Sequence, residues 1–469
     1  MDETMNGTVA PGEVIDLEEN GLVVTENTDV ENQVYKGFAA DGIVVAEDDI
    51  SVNLDAVESL ENADDGIDVR GITSGASVSI NTSAFNANGD DGVDVFGENN
   101  TVNLYRVEAA FNEASGNEVD GLNNTINYNL SEFEGNVDGL AIARNGVGNT
   151  LNIASTAFFG NNDDGIDVFG IENELNLDSA SSTGNAEDGL EIDGSDNTIT
   201  STNSLFGDNG ADGFGDDKTS TGNTFDLSSS SFRENGDDGL DIEGANQTVI
   251  LNNSVFEDNA EAGFEIDGRD NQVTIENRSA FDGNLDGLLI DYQSINNTIE
   301  VTDSGFRGNS DDGFDILGSD NTVTLNNIEA ELNEDQGFEM DGDNNHATIN
   351  DSFFFSNSVS GLTIDVTGAD NNLVVNESAI YTNDGDGIEI LGDGNTVDLF
   401  STEVTDNGEW GMEVVGDSNT ISIGSSTFEG NGNGAIVIDG SDNTLMISDS
   451  NITADDIIDN GSNNTIEFA

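Results

Sequence analysis

Apolar and polar positions alternate with a period of two in short runs, and the runs themselves recur along the chain. Gly165-Ile166-Asp167-Val168 is one such run, reading glycine, apolar, acidic, apolar. Asn223-Thr224-Phe225-Asp226-Leu227 is a second, and Ser254-Val255-Phe256 a third, usually built on Ser or Thr followed by Phe. Alternation of this period predicts half-buried strands. The Gly, Asn and Asp clusters between the runs supply turns. No stretch carries the period of a helix.

The units are indexed on the glycine that opens the first run. They start at Gly42, Gly66, Gly92, Gly116, Gly139, Gly165, Gly189, Gly213, Gly239, Gly263, Gly287, Gly313, Gly337, Gly361, Gly387, Gly411 and Gly434. The spacing is 23 to 26 residues with every third coil longer, so the units group in threes of 73 or 74 residues. The same three runs return once per unit, which excludes separate hairpins and requires like runs to stack as parallel strands. The predicted fold is all-β: a right-handed parallel β-helix solenoid of about 17 coils, three strands per coil, with a 74-residue three-coil super-repeat. At roughly 4.8 Å per coil, this predicts a rod about 80 Å long. Residues 21–469 are assigned to it as a single domain, and residues 1–20, which hold the lone proline Pro11, to an N-terminal segment expected to act as a partial cap.

Two columns set the register. An asparagine stands three or four residues before each indexed glycine, from Asn62 through Asn235 to Asn431. Its amide can donate to one coil and accept from the next, which predicts a structural ladder. Phe85, Phe133, Phe158, Phe206, Phe232, Phe256, Phe281, Phe306, Phe354 and Phe428 form a second column, expected as a stacked core ladder, with a ligand-binding aromatic row as the alternative.

The pattern Asn-x-x-x-Gly-apolar-x-apolar-x-Gly followed by Asn-Thr-apolar resembles the right-handed parallel β-helix repeat superfamily of pectate lyases, polygalacturonases and alginate epimerases, over about residues 21–469. The resemblance implies the fold of this pectate lyase-like solenoid, in an acidic extracellular member. It is poor in function, because that superfamily includes enzymes, adhesins and surface structural proteins.

Charge changes the picture next. Against 96 Asp and Glu stand 9 Lys and Arg, a net charge of −87. Nucleic-acid binding and attachment to anionic membranes both need clustered basic residues and are excluded. There is no cysteine, hence neither disulfide nor thiolate metal site. Met1 is followed by Asp2 and Glu3 with no apolar stretch after them, so neither a signal peptide nor direct membrane insertion is expected. Export by a leaderless route, or trimming of a leader, is the expectation, with an extracellular or cell-surface location in a marine or halophilic setting.

Part of the charge is in register. Two residues after the indexed glycine, where the side chain should point outward, stand Asp94, Asp167, Asp241, Asp315 and Glu389 in the second coils and Glu118, Glu191, Glu265, Glu339 and Glu413 in the third. After the first triple, the long coils carry Ala141, Gly215, Leu289, Thr363 and then Ile436 there. The second coils add acidic turns: Asp90-Asp91, Asp163-Asp164, Asp237-Asp238, Asp311-Asp312, and Asp384 with Asp386. Carboxylates about 4.8 Å apart repel by roughly 1 kcal/mol in water and about 3–4 kcal/mol at an effective dielectric near 20. Hard oxygen ligands suit Ca²⁺, so these twenty residues are expected to hold a row of about five Ca²⁺ ions, one per triple. The competing expectation is a solvated acidic face adapted to salt. The Gly-Gly-x-Gly-x-Asp nonapeptide of calcium rolls is absent.

Paired carboxylates also suit glycosidase chemistry, but a face repeated five times is unlike one tuned site. A Lys or Arg converging with an outward acid would favour an enzyme, and the sequence shows no convincing one. His346, the only histidine, falls in the Asn-Thr slot of the second run, a substituted ladder position. No catalytic residues are assigned. The long coils insert two residues between the first two runs, as in Arg144-Asn145-Gly146-Val147-Gly148, and Gly215-Asp216 is expected to open the sheet locally. Neither end looks fully capped, which predicts either that the chain is part of a longer protein or that coils of neighbouring molecules stack end to end in self-association. The expected function is a secreted or cell-surface structural or adhesive rod, stabilised by calcium and meeting polysaccharide through it. The alternatives are a polysaccharide-modifying enzyme and a non-catalytic carbohydrate-binding β-helix.

Overall fold

The computed structural model describes residues 20–70 and 74–469, so the cap expected over residues 1–20 lies, apart from Asn20, outside the described residues. Among them the only helical element is a single 3-10 turn, Ala454–Asp456, and no helix is long and apolar enough to cross a membrane. The described residues fall into two compact units, one ending at Ser231 and the other running from Phe232 to Ala469.

Unit 1 is a parallel β-solenoid with three strands per coil. Its first sheet runs from Leu22–Val24 to Phe214–Asp216 in three-residue strands, its second from Thr28–Glu31 to Thr224–Ser228 mostly in five-residue strands, and its third from Val34–Lys36 to Leu205–Gly207. Like strands pair in register, for example Val93↔Asn117, Asp94↔Glu118 and Val95↔Val119. Unit 2 repeats this architecture. Its first sheet runs from Leu240–Ile242 to Phe314–Ile316 and resumes at Leu362–Ile364, because the coil at Gly337 contributes one bridge, Phe338↔Leu362, instead of a strand. The all-β parallel solenoid of three-strand coils is the fold the alternation predicts, and it matches a right-handed β-helix.

The core lies inside each coil. Phe85, Phe133, Phe158 and Phe206 in unit 1, and Phe232, Phe256, Phe281, Phe306 and Phe354 in unit 2, are buried. Phe256, Phe281 and Phe306 stack with centroids 4.8 and 4.9 Å apart, so this column is a core ladder and offers no ring face to a ligand. The asparagine column is a hydrogen-bonded ladder. Asn62, Asn88, Asn112 and Asn136 each pass an Nδ2–H to the next Oδ1, or receive one, at 3.0 Å. Asn333, Asn357, Asn383 and Asn407 do the same at 3.0 Å. The indexed glycines are required by closeness of coils: a Cβ on Gly92 would stand 2.6 Å from the Gly116 carbonyl oxygen.

A second buried asparagine ladder was not legible as such. Asn100, Asn124, Asn149 and Asn173, from the Asn-Thr runs, accept the backbone N–H of the preceding coil at 2.8–2.9 Å. The residue before each is left-handed, as at Asn99 (φ 55°), Asn123 (φ 53°) and Gly148 (φ 67°), a conformation Asn and Gly tolerate best. His346 sits in register between Thr322 and Asn372, as its slot predicts.

Three expectations are corrected. Gly434 is not the equivalent of the other indexed glycines: Glu413 pairs with Val437, and Ile436 is core, paired with Met412. The extra residue shifts the last indexed coil by one. The first sheet does not open at Gly215-Asp216 on its unit 1 side, since Glu191↔Gly215 and Ile192↔Asp216 stay paired. Asp216 points inward and accepts a hydrogen bond from the Ser220 hydroxyl of the long-coil turn. Finally, the acids expected to point outward do leave the core, but none of them is fully exposed, as follows.

Candidate metal centre

The acids two residues past the indexed glycine meet across coils in the expected pairs: Asp94↔Glu118, Asp167↔Glu191, Asp241↔Glu265 and Glu389↔Glu413. In the fourth triple, Glu339 lacks a strand, but its N–H donates to the Phe314 carbonyl at 2.9 Å and its carboxyl faces Asp312 and Asp315. None of the ten is exposed. Asp94, Asp241 and Glu389 are half-buried, as are Glu118, Glu191, Glu265, Glu339 and Glu413, while Asp167 and Asp315 keep only 4% and 7% of their surface. The narrow strand carries these side chains off the core, and neighbours in the acid row then enclose them.

The acidic turns divide by position. Asp90 and Asp384 are exposed and Asp163, Asp237 and Asp311 half-buried, whereas Asp91, Asp164, Asp238, Asp312 and Asp386, next to the glycine, are all buried. This inner position is a ladder that the sequence reading missed. Asp65 Oδ1 accepts the Asp91 N–H at 3.0 Å, and Asp91 Oδ1 accepts that of Ser115 at 2.7 Å. Asp286, Asp312 and Asp386 do likewise for Asp312, Gln336 and Trp410 at 2.9, 2.6 and 2.5 Å. One oxygen of each Asp is thereby committed to backbone, and Asp41, Asp65, Asp138, Asp188 and Asp286 join the row. The available signal was the residue immediately before each indexed glycine.

These columns bring carboxylates together in threes. Asp65, Asp90 and Asp91 each offer an oxygen within 4.8 Å of the others, and so do Asp138, Asp164 and Asp167, and Asp164, Asp188 and Glu191. Burial, followed by the charge of neighbouring acids, drives the carboxyls upward. Asp94 and Asp167 are pushed up to about 9. Asp65 rises to about 8 against a backbone hydrogen bond that lowers it. Asp91, Asp164 and Asp312 are also raised, with burial the largest cause. Asp94, Asp167 and Asp315 each hold a buried Oδ1 with no hydrogen-bond partner. An ionised oxygen in that state is costly unless a cation or a proton meets it.

One basic residue does converge on the row. Arg70 Nη2 donates to Asp41 Oδ2 at 2.9 Å, and its Nε makes an ion pair with Asp68 Oδ2 at 2.8 Å. The sequence reading found no convincing one: Asp68 is only two positions from Arg70, but Asp41 is 29 positions away and joins them only through stacking of coils.

Residues 172–328 match the family model described as right handed beta helix region. The chain is a parallel β-helix. Among solved structures it is similar to the periplasmic alginate epimerase AlgG (11% identity, 90% of this chain and 77% of that one, TM-score 0.30). It is similar also to a tailspike protein double mutant of E. coli bacteriophage HK620 (9%, 95% and 71%, TM-score 0.27) and to the Azotobacter vinelandii mannuronan C-5 epimerase AlgE6 A-module (11%, 90% and 90%, TM-score 0.20). At these scores the likeness says nothing of what this chain binds or does. No curated protein matches it.

Proposed function

We propose that this β-helix is a secreted or cell-surface structural or adhesive protein whose acid row is held together by Ca²⁺. The observation that carries the reading is the repeated placement of a buried, unpartnered Asp oxygen (Asp94, Asp167, Asp315) beside other carboxylates one coil away. Solvated salt adaptation needs no buried carboxylates, whereas Ca²⁺ takes six to eight oxygens, including turn carbonyls and water. Bound ions would cancel the repulsion along the row. They would also give an acidic polysaccharide, or a second copy lying alongside, a bridge to a face that otherwise repels it.

The test is thermal melting of the metal-stripped chain with Ca²⁺ added back at constant ionic strength. A large rise in Tm with Ca²⁺, not matched by Na⁺, is expected. Equal melting with either salt would reduce the row to a general salt adaptation.

A second reading, polysaccharide modification, is favoured by the convergence of Arg70 with Asp41 and Asp68. It requires that incubation with polyuronates release new reducing or unsaturated ends or change the ratio of epimeric uronates in the intact chain, and that Arg70→Ala abolish this. With no such products the enzymatic reading falls.

A further inference from the structure

Resting on the cation-binding reading above, we propose that Asp138, Asp164, Asp167, Asp188 and Glu191 form a two-ion site for divalent cations in which the Asp164 carboxylate is shared, while the corresponding place in unit 2 takes one ion. The two triads of close oxygens in unit 1, Asp138–Asp164–Asp167 and Asp164–Asp188–Glu191, have Asp164 in common. A carboxylate can bridge two ions roughly 3.5–4 Å apart, each completing its shell with carbonyls and water. Asp138 Oδ1 accepts the Asp164 N–H at 3.3 Å, and Asp164 Oδ1 accepts the Asp188 N–H at 2.7 Å. The backbone therefore fixes how these carboxyls are presented to the row. Asp167 points to a ligand independently of the clustering, since it is 4% exposed and its Oδ1 has no hydrogen-bond partner.

The chain supplies its own comparison. Two 74-residue repeats later, the same positions are Asp286, Asp312, Asp315, Gln336 and Glu339. The first three reproduce the unit 1 arrangement: Asp286 Oδ1 accepts the Asp312 N–H at 2.9 Å, Asp312 Oδ1 accepts the Gln336 N–H at 2.6 Å, and buried Asp315 keeps an unpartnered Oδ1. At the fourth position, an amide replaces a carboxylate. Gln336 Nε2 donates to Glu339 Oε1 at 3.0 Å, so a neutral donor within the protein meets Glu339 where, in unit 1, Asp188 adds a charge beside Glu191. One of the two ion positions is thus filled by an amide in unit 2 and left to a cation in unit 1.

The experiment counts Ca²⁺ per full-length chain by equilibrium dialysis and metal analysis, on wild type, Asp188→Gln and Gln336→Asp, each first shown to be folded by circular dichroism. Asp188→Gln should bind one ion fewer than wild type, and Gln336→Asp one more. If the wild type binds Ca²⁺ but the count in a folded variant does not change, the two-ion inference is overturned and the calcium reading stands. If the wild type binds no Ca²⁺, both fall. Should Asp188→Gln not fold, Gln336→Asp alone decides the matter in the same way.

Discussion

Arg70 Nε lies 2.8 Å from Asp68 Oδ2, and the same guanidinium reaches Asp41 across the neighbouring coils. Here the protein meets the acid row with a cation of its own. Asp68 is pushed up to about 7, chiefly by burial, with Arg70 opposing the rise.

Arg70→Ala should therefore turn a self-sufficient stretch into one that depends on added cations. The pair is neither buried nor fully exposed, with Arg70 at 41%. The expected loss in chelator lies between the values for surface and buried pairs, about 1–2 kcal/mol. Ca²⁺ should recover more stability in the variant than in wild type, as read by Tm in paired melts. A loss that Ca²⁺ does not recover would mean that Arg70 contributes packing alone.

Asn112 provides a sharper structural test. Its Oδ1 accepts the backbone N–H and the Nδ2–H of Asn88, both at 3.0 Å, while its Nδ2 donates to the Phe85 carbonyl at 3.1 Å and to Asn136 at 3.0 Å. Asn112→Ala leaves several buried groups unpaired and should cost about 2–4 kcal/mol. Asn103→Ala, in the half-buried outer row where Oδ1 accepts from Asn127 at 2.9 Å, should cost under about 1 kcal/mol. The shift in the denaturant midpoint at unchanged m-value checks both. Equal costs would contradict the idea that the buried ladder bears the load.

The alternation of residues such as Ile166, Asp167 and Val168 made the solenoid legible, since period two and a coil-length recurrence leave few other arrangements. The Phe and Asn columns were legible for the same reason: identical residues at one register position stack. What was not legible depends on direction and depth. Asp164, in an acidic turn, and Asp167, at the outward place of a strand, both read as candidate ion ligands, yet one uses an oxygen to bind a backbone N–H and the other holds an oxygen that nothing meets. Burial of Asp167 is set by its neighbours one coil on either side, which single-run alternation does not describe. Gly434 misled because a one-residue shift leaves a plausible glycine in place while moving every following side chain to the other face.

The pH dependence of the metal-free protein follows from the raised carboxyls. Asp138 and Asp286 are pushed up to about 6, Asp65 to about 8, and Asp94 and Asp167 to about 9, all chiefly by burial. A carboxyl whose value is raised on folding holds its proton in the native state after the unfolded chain has released it. Its contribution to stability is fully present below the unfolded value, near 4, and is lost as pH rises through the folded value. In chelator, Tm should fall steadily between about pH 4 and pH 9. Bound Ca²⁺ replaces those protons, so the stabilisation by Ca²⁺ should grow over the same interval and its apparent affinity should rise with pH. Melting curves at a series of pH values, with and without Ca²⁺, test both halves together. A metal-free protein whose stability climbs from pH 5 to pH 8 would have the opposite sign, and would show that these carboxyls are ionised and satisfied without either proton or cation.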